Sequence, residues 1–283
     1  MPASTSPDPT AEPSSSSGTP RSIELEVEVA GTPEEVWRAI ATGPGISSWY
    51  VPHTVEEREG GAAMASFGPG PEMQIPGRVA AWEPPHRIVF DGGEAAGGLA
   101  FEWLVEARDG GTCIVRVVHS LFASNDDWDD QLRGFEAGWP WFLEILRLYL
   151  THFRGQPSAA FRLIGAAAPP AAEAWDKLAA LLGVQGSRVG EWRMASALSP
   201  PLAGVVERVG GGGHPNAVLV RLDEPHVGVL SSFAHPMGGQ VVLAIDVYLY
   251  GPGAAEAAAR AEPAWSAWIA EHFPLPSLPP NVC

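Results

Sequence analysis

The chain holds a single lysine, Lys177, and only two cysteines. It has no run of about 18 apolar residues, the length that would span a bilayer. Arginine therefore carries nearly all the positive charge, and 17 basic residues stand against 33 acidic ones, a formal net charge of −16. Nucleic-acid binding rests on Lys and Arg neutralising phosphates, and anionic membrane surfaces attract the same side chains, so neither partner is expected. Cys113 and Cys283 cannot make a disulfide framework, so a reducing cytoplasm is the expected compartment. No basic region followed by an apolar stretch marks the N-terminus, so no signal peptide is expected.

The motif inventory is equally sparse. Gly-x-Ser-x-Gly is missing, so no nucleophile elbow is signalled. Cys-x-x-Cys and His-x-x-x-His are missing, so no zinc spacing is present. The glycine run before His214 has no Gly-Lys-Ser/Thr and reads as a hairpin turn rather than a phosphate loop. The acids at 125–130 lack the central Gly and distal Glu of a calcium loop, and suit the start of a long helix instead. No metal and no cofactor are expected.

What is present is a core. Apolar residues make up 46% of 283 residues and charged residues 18%, enough for one large domain or two ordinary ones. Residues 1–21 are rich in Ser, Pro and Thr and read as a disordered tail. From Ile23 to Val29 apolar and acidic residues alternate, the period of a strand with one wet face. Thr32-Pro33-Glu34-Glu35 follows, an N-cap with a capping box that opens an amphipathic helix through Ile40. That helix should stop before Gly43-Pro44-Gly45, and a short helix or turn is expected over 46–50. Strands are expected at 62–67, 75–82, 87–91, 100–107 and 112–120, punctuated by Gly and Pro. A helix over 126–153 closes the unit, with Trp139, Phe142, Leu143, Leu146, Leu150 and Phe153 on one stripe and Pro140 set to kink or restart it.

A linker at 155–158 precedes a weaker repetition of the same plan. A strand is expected at 160–165, a helix at 168–178, strands at 201–209, 217–222, 227–233 and 240–250, and a final helix at 254–273, before a tail at 275–283. The order of elements suggests an internal duplication. The expected domains are thus 22–154 and 159–274, and the fold class is α+β.

Strand parity gives a candidate cavity lining. If Arg116 faces solvent, Val115, Val117 and His119 face inward; if Glu102 and Glu106 face out, Phe101, Trp103 and Val105 face in; Ile88 and Phe90 share that inner face. Trp139, Phe142, Leu143 and Leu146 complete it from the helix. Two readings of this face stand, a lined cavity or a filled core. His119 is the candidate polar group, either orienting a ligand hydroxyl or acting as acid/base, or else a bonded core histidine. His53 falls at a cavity mouth or on a loop surface.

Several segments of the first unit occur together in the order of a known family. They are Thr32-Pro33-Glu34-Glu35-Val36-Trp37, Trp49-Tyr50-Val51-Pro52, Gly60-Gly61, Gly77-Arg78-Val79, Pro84-Pro85-His86-Arg87, Gly110-Gly111-Thr112 and Gly138-Trp139. With these, residues 22–153 resemble the START-like SRPBCC superfamily, in the branch of the activator of the 90-kDa heat-shock protein ATPase. Residues 157–283 look like a degenerate second copy lacking the Trp49-Tyr50 motif. The resemblance implies a helix-grip fold, a curved antiparallel sheet wrapped around a long C-terminal helix, in two tandem copies. It adds Trp49 and Tyr50 to the ligand-binding candidates. It implies a small hydrophobic ligand held without catalysis, with a chaperone or other protein partner as one alternative. A cyclase- or aromatase-like enzyme using His119 is the other. No complete catalytic constellation is named, so a non-catalytic role is the expectation.

Overall fold

The computed structural model describes residues 21–68, 70–93, 99–121, 127–211 and 213–275. The expected tails therefore lie outside the described residues except at their inner ends, where Arg21 already belongs to the first strand. Asn125 and Asp126 of the acidic cluster also lie outside them.

Two antiparallel sheets are built to one wiring plan. In the first, β1 (Arg21–Ala30) pairs with β7 (Thr112–Leu121). Beyond β7 the sheet runs back through β6 (Ala100–Arg108), β5 (Arg87–Asp91), β4 (Gln74–Glu83) and β3 (Ala62–Ser66) to β2 (His53–Val55). In the second, β8 (Ser158–Ala167) pairs with β13 (Gln240–Tyr250). The order continues through β12 (Gly228–Met237), β11 (Ala217–Glu224) and β10 (Ala203–Val209) to β9 (Trp192–Met194). Each sheet thus joins its first strand to its last. Helices α1 (Pro33–Ala41) and α2 (Gly43–Ser47) interrupt the first meander, and α4 (Ala171–Leu181) interrupts the second. Helices α3 (Asp127–Leu148) and α5 (Ala254–His272) follow the closing strands. The shared wiring is what the expected duplication requires.

The start of α1 forms as its sequence dictates. The Thr32 side chain accepts from Glu35 N at 3.4 Å, and Glu35 Oε2 accepts from Thr32 N at 2.9 Å. Val36, Trp37 and Ile40 turn into the core. Gly43-Pro44-Gly45 behaves differently from the expectation. It does not separate two helices; it begins the second one, under a Thr42 cap that accepts from Gly45 N at 3.1 Å. A Cβ at Gly45 would sit 1.8 Å from the Arg38 carbonyl oxygen, so only glycine lets α2 approach α1 this closely.

Pro140 neither ends nor restarts α3, which continues to Leu148 and passes into a π-helical turn, Tyr149–Phe153. Its carbonyl accepts from Arg208 Nη1 of β10 at 3.1 Å. The helix is buried on two sides. Trp139 meets Trp103 of the first sheet with ring centroids 5.3 Å apart, while Trp141 Nε1 donates to Ser231 Oγ of the second at 2.9 Å. The layers are therefore first sheet, α3, second sheet, then α4 and α5. The second sheet is buried on both faces. Leu219, Val229, Phe233, Ala244 and Tyr248 join the core around α3, and the alternate residues Val218, Val220, Leu230, Ile245 and Val247 join the core beneath α4 and α5. That explains why β12 and β13 read as near-continuous apolar runs rather than alternating ones. No helix among the described residues is long and apolar enough to cross a membrane.

Candidate functional site

A cavity of about 340 Å³ opens over β3–β6 of the first sheet, within the size range of small-molecule sites. One wall comes from α1, α2 and the turn after it, through Ile40, Ile46, Trp49 and Tyr50. Trp139 closes it from α3, and Phe90, Phe101 and Trp103 rise from the sheet. From β3 and β4 the lining mixes Ala63, Ala65 and Gly77 with Met64, Ile75 and Pro76. Ala63 and Gly77 are register partners on β3 and β4, so two neighbouring strands lack bulk at the same point.

The aromatic wall is fixed by contacts between its members. Trp49 Nε1 donates to the Ala39 carbonyl at 2.9 Å, and its ring meets Trp103 edge-on at 5.7 Å. Tyr50 stacks on Trp139 at 5.3 Å and takes the edge of Phe142 at 4.7 Å. The local backbone is held by Ser47, whose hydroxyl donates to the Gly43 carbonyl at 2.7 Å and accepts from His53 N at 2.8 Å. This bond sets the start of β2 and places His53 in the cavity wall.

Electrostatically the site is nearly neutral. Asp91 also lines the cavity, but its Oδ2 accepts two N–H groups of Arg78, at 2.7 and 3.1 Å, and its Oδ1 accepts Gly93 N at 2.7 Å. The Arg78 bonds hold the carboxyl below its usual range. Burial pushes Tyr50 up to about 12, so it remains a neutral phenol at physiological pH. Burial pushes His53 down, opposed by the Val51 carbonyl that its Nδ1 meets at 2.8 Å.

Of the candidates from sequence, the structure gathers Trp49, Tyr50, Phe90, Phe101, Trp103 and Trp139 around the cavity. Val117, His119, Phe142, Leu143 and Leu146 are not among its lining residues. Val117 and His119 face inward as parity requires, but β7 lies beneath α3, where space is filled. His119 packs 4.2 Å from the Phe101 ring and 5.1 Å from Trp139, and burial pushes it down to about 3. Leu143 and Leu146 are buried in the same core, and Phe142 stands behind Tyr50. Sequence reasoning missed Ile40, Ile46, Phe67, Ile75 and the small residues of β3 and β4. The available signal was the run Ala62-Ala63-Met64-Ala65, a strand segment with little volume. Among the described residues no group of three or more His, Cys, Asp or Glu side chains could hold a metal ion.

Residues 30–151 match the family model for Activator of Hsp90 ATPase homolog 1-like protein. Among solved structures, the di-domain ARO/CYC BexL from the BE-7585A biosynthetic pathway is 18% identical, with a TM-score of 0.42, over 91% of this chain and all of its own. Protein MLL2253 from Mesorhizobium loti is 21% identical, with a TM-score of 0.40, over 46% of this chain and 97% of its own. The Aha1 dimer from Colwellia psychrerythraea is 19% identical, with a TM-score of 0.37, over 46% and 96%. A search of curated proteins finds no relative.

Proposed function

We propose, taking residues 30–151 as a unit of the Activator of Hsp90 ATPase homolog 1-like family, that the first unit binds a small hydrophobic molecule in the cavity between its sheet and α3. The observation that carries this reading is the cavity itself, walled by Trp49, Tyr50, Phe101, Trp103 and Trp139. A concave, mostly apolar pocket of this size with a few polar groups is the usual form of a small-molecule site. Among the described residues His119 is not part of the lining, and Asp91 is engaged by Arg78 and Gly93 N, so binding without chemistry is the reading we favour. Native mass spectrometry of freshly purified protein tests it. A stoichiometric excess over the denatured mass, lost on denaturation, is expected. A bare mass, together with no binding of added apolar compounds, overturns it.

The family match favours a second reading, a chaperone-cofactor role. Stimulation of the ATPase of a partner chaperone of the 90-kDa class is its test. Absence of any stimulation at saturating protein removes it.

A further inference from the structure

We propose that the cavity selects neutral aromatic ligands carrying a hydroxyl group, which donates a hydrogen bond to Nε2 of His53. This rests on the cavity reading above and narrows it to a ligand class. The polar side chains of the wall are Trp49, Trp103, Trp139, Asp91, His53 and the Tyr50 phenol, which both donates and accepts. Trp49 Nε1 is already given to the Ala39 carbonyl, and indole nitrogens are donors only, so none of the tryptophans can accept. Both carboxylate oxygens of Asp91 are engaged, by Arg78 and by Gly93 N. His53 is different. Its Nδ1 lies 2.8 Å from the Val51 carbonyl oxygen, which can only accept, so Nδ1 carries the proton and Nε2 carries the lone pair. Among the described residues nothing donates to that lone pair. Partial burial keeps the ring neutral near pH 7, so the acceptor persists there.

The rest of the wall defines the body of the ligand. Ring faces and edges of Tyr50, Phe90, Phe101, Trp103 and Trp139 favour a flat aromatic group. The carboxylate of Asp91 is satisfied by Arg78, and among the described residues no other lining side chain is charged. A carboxylate on the ligand would therefore lose its hydration with no opposite charge to replace it.

The test uses two probes of one shape, 2-naphthol and 2-methoxynaphthalene, titrated calorimetrically into the full chain. Only the first can donate. Preference for 2-naphthol by about tenfold is expected at pH 7.5, the value of one net hydrogen bond. The preference should shrink as pH falls and His53 takes up a proton at Nε2. In His53→Phe, checked for a native circular dichroism spectrum, it should collapse to about one. Equal binding of both probes by the native protein overturns the hydroxyl assignment and leaves the cavity reading standing. Binding of neither overturns both. A tenfold preference that survives in His53→Phe and is flat with pH overturns the role of His53.

Discussion

The phenolic hydroxyl of Tyr250, at the end of β13, donates to the carbonyl oxygen of Ser48 at 2.7 Å. Ser48 directly precedes Trp49 and Tyr50, so this bond reaches from the second sheet to the segment that carries one wall of the cavity. A second bond runs beside it. The Ser48 hydroxyl donates to the Pro44 carbonyl at 2.8 Å, which leaves the Ser158 hydroxyl of β8 as donor to Ser48 Oγ at 2.7 Å. The Tyr250 ring also stacks on Phe153 at 4.4 Å. The second half of the chain thus braces the aromatic wall from behind.

Tyr250→Phe keeps the stacking and deletes the hydroxyl. The buried Ser48 carbonyl then has no donor from β13, and a loss of about 1–3 kcal/mol in unfolding free energy is expected. Urea unfolding checks this. Ligand affinity should fall as well, because Trp49 and Tyr50 lose their anchor. A variant as stable as the native protein would show that the bond is not a brace.

Arg162 and Asp246 are register partners on β8 and β13, and Asp246 is 5% exposed in its side chain. Both Arg162 Nε and Nη2 donate to the carboxylate. Asp246→Ala leaves a largely buried cation unpaired and should cost about 3–5 kcal/mol. The double change Arg162→Met with Asp246→Leu should cost less than the sum of the single changes, since it removes both charges together. A thermodynamic cycle from denaturant unfolding measures the difference, and strict additivity would contradict the pairing.

The parts of this architecture that were legible in sequence are those governed by a local rule. β1 showed its wet face through Glu24, Glu26 and Glu28, α1 showed its start through Thr32 and Glu35, and β13 showed both its ends. What escaped depends on partners distant in the chain. β2 and β9 are three residues each, too short to show a period, and exist only because β3 and β10 offer an edge. The stripe from Trp139 to Phe153 was visible on α3, but the second stripe of Trp141, Ile145 and Leu148 gains meaning only once a second sheet covers it. The same holds for the site. Parity put Phe90, Phe101 and Trp103 on one face, and all three border the cavity. Only the course of α3 over β1 and β7 decides that His119 is packed while Trp103 borders open space.

Ala63→Leu is expected to fill the cavity from β3. Ala63 is 9% exposed and faces the void beside Gly77, so added methyl groups enter empty space rather than a packed neighbour. Binding of 2-naphthol should weaken by an order of magnitude or more, while the thermal midpoint stays the same or rises, because a filled void regains lost dispersion contacts. Calorimetric titration and thermal unfolding together check it. Unchanged affinity would place the ligand elsewhere.

Gly45→Ala tests the contact between α1 and α2. The new Cβ would lie 1.8 Å from the Arg38 carbonyl oxygen, a backbone atom that cannot move aside without shifting α1. A destabilisation of about 1–3 kcal/mol is expected, with weakened binding because Ile46, Trp49 and Tyr50 are displaced. Glycine's greater unfolded-state freedom works the other way by less than about 1 kcal/mol and should not rescue the variant.

The pH dependence of stability follows from the buried histidines. Burial pushes His119 down to about 3, against about 6.5 in the unfolded chain. Between these values the unfolded state binds a proton that the folded state refuses. Stability from this group is fully present above about pH 6.5 and is lost as pH falls. From pH 6.5 to 5.5 the loss from His119 alone should be about 1 kcal/mol. His53, His214 and His235 are pushed down by burial as well, so each adds to the slope with the same sign. His119→Leu removes one titrating group while keeping the site apolar, and should flatten the pH dependence of the urea midpoint over this interval by that increment. An unchanged slope in His119→Leu would mean that His119 takes its proton in the folded protein as readily as in the unfolded chain, and that the packing of Phe101 and Trp139 around it does not exclude the imidazolium.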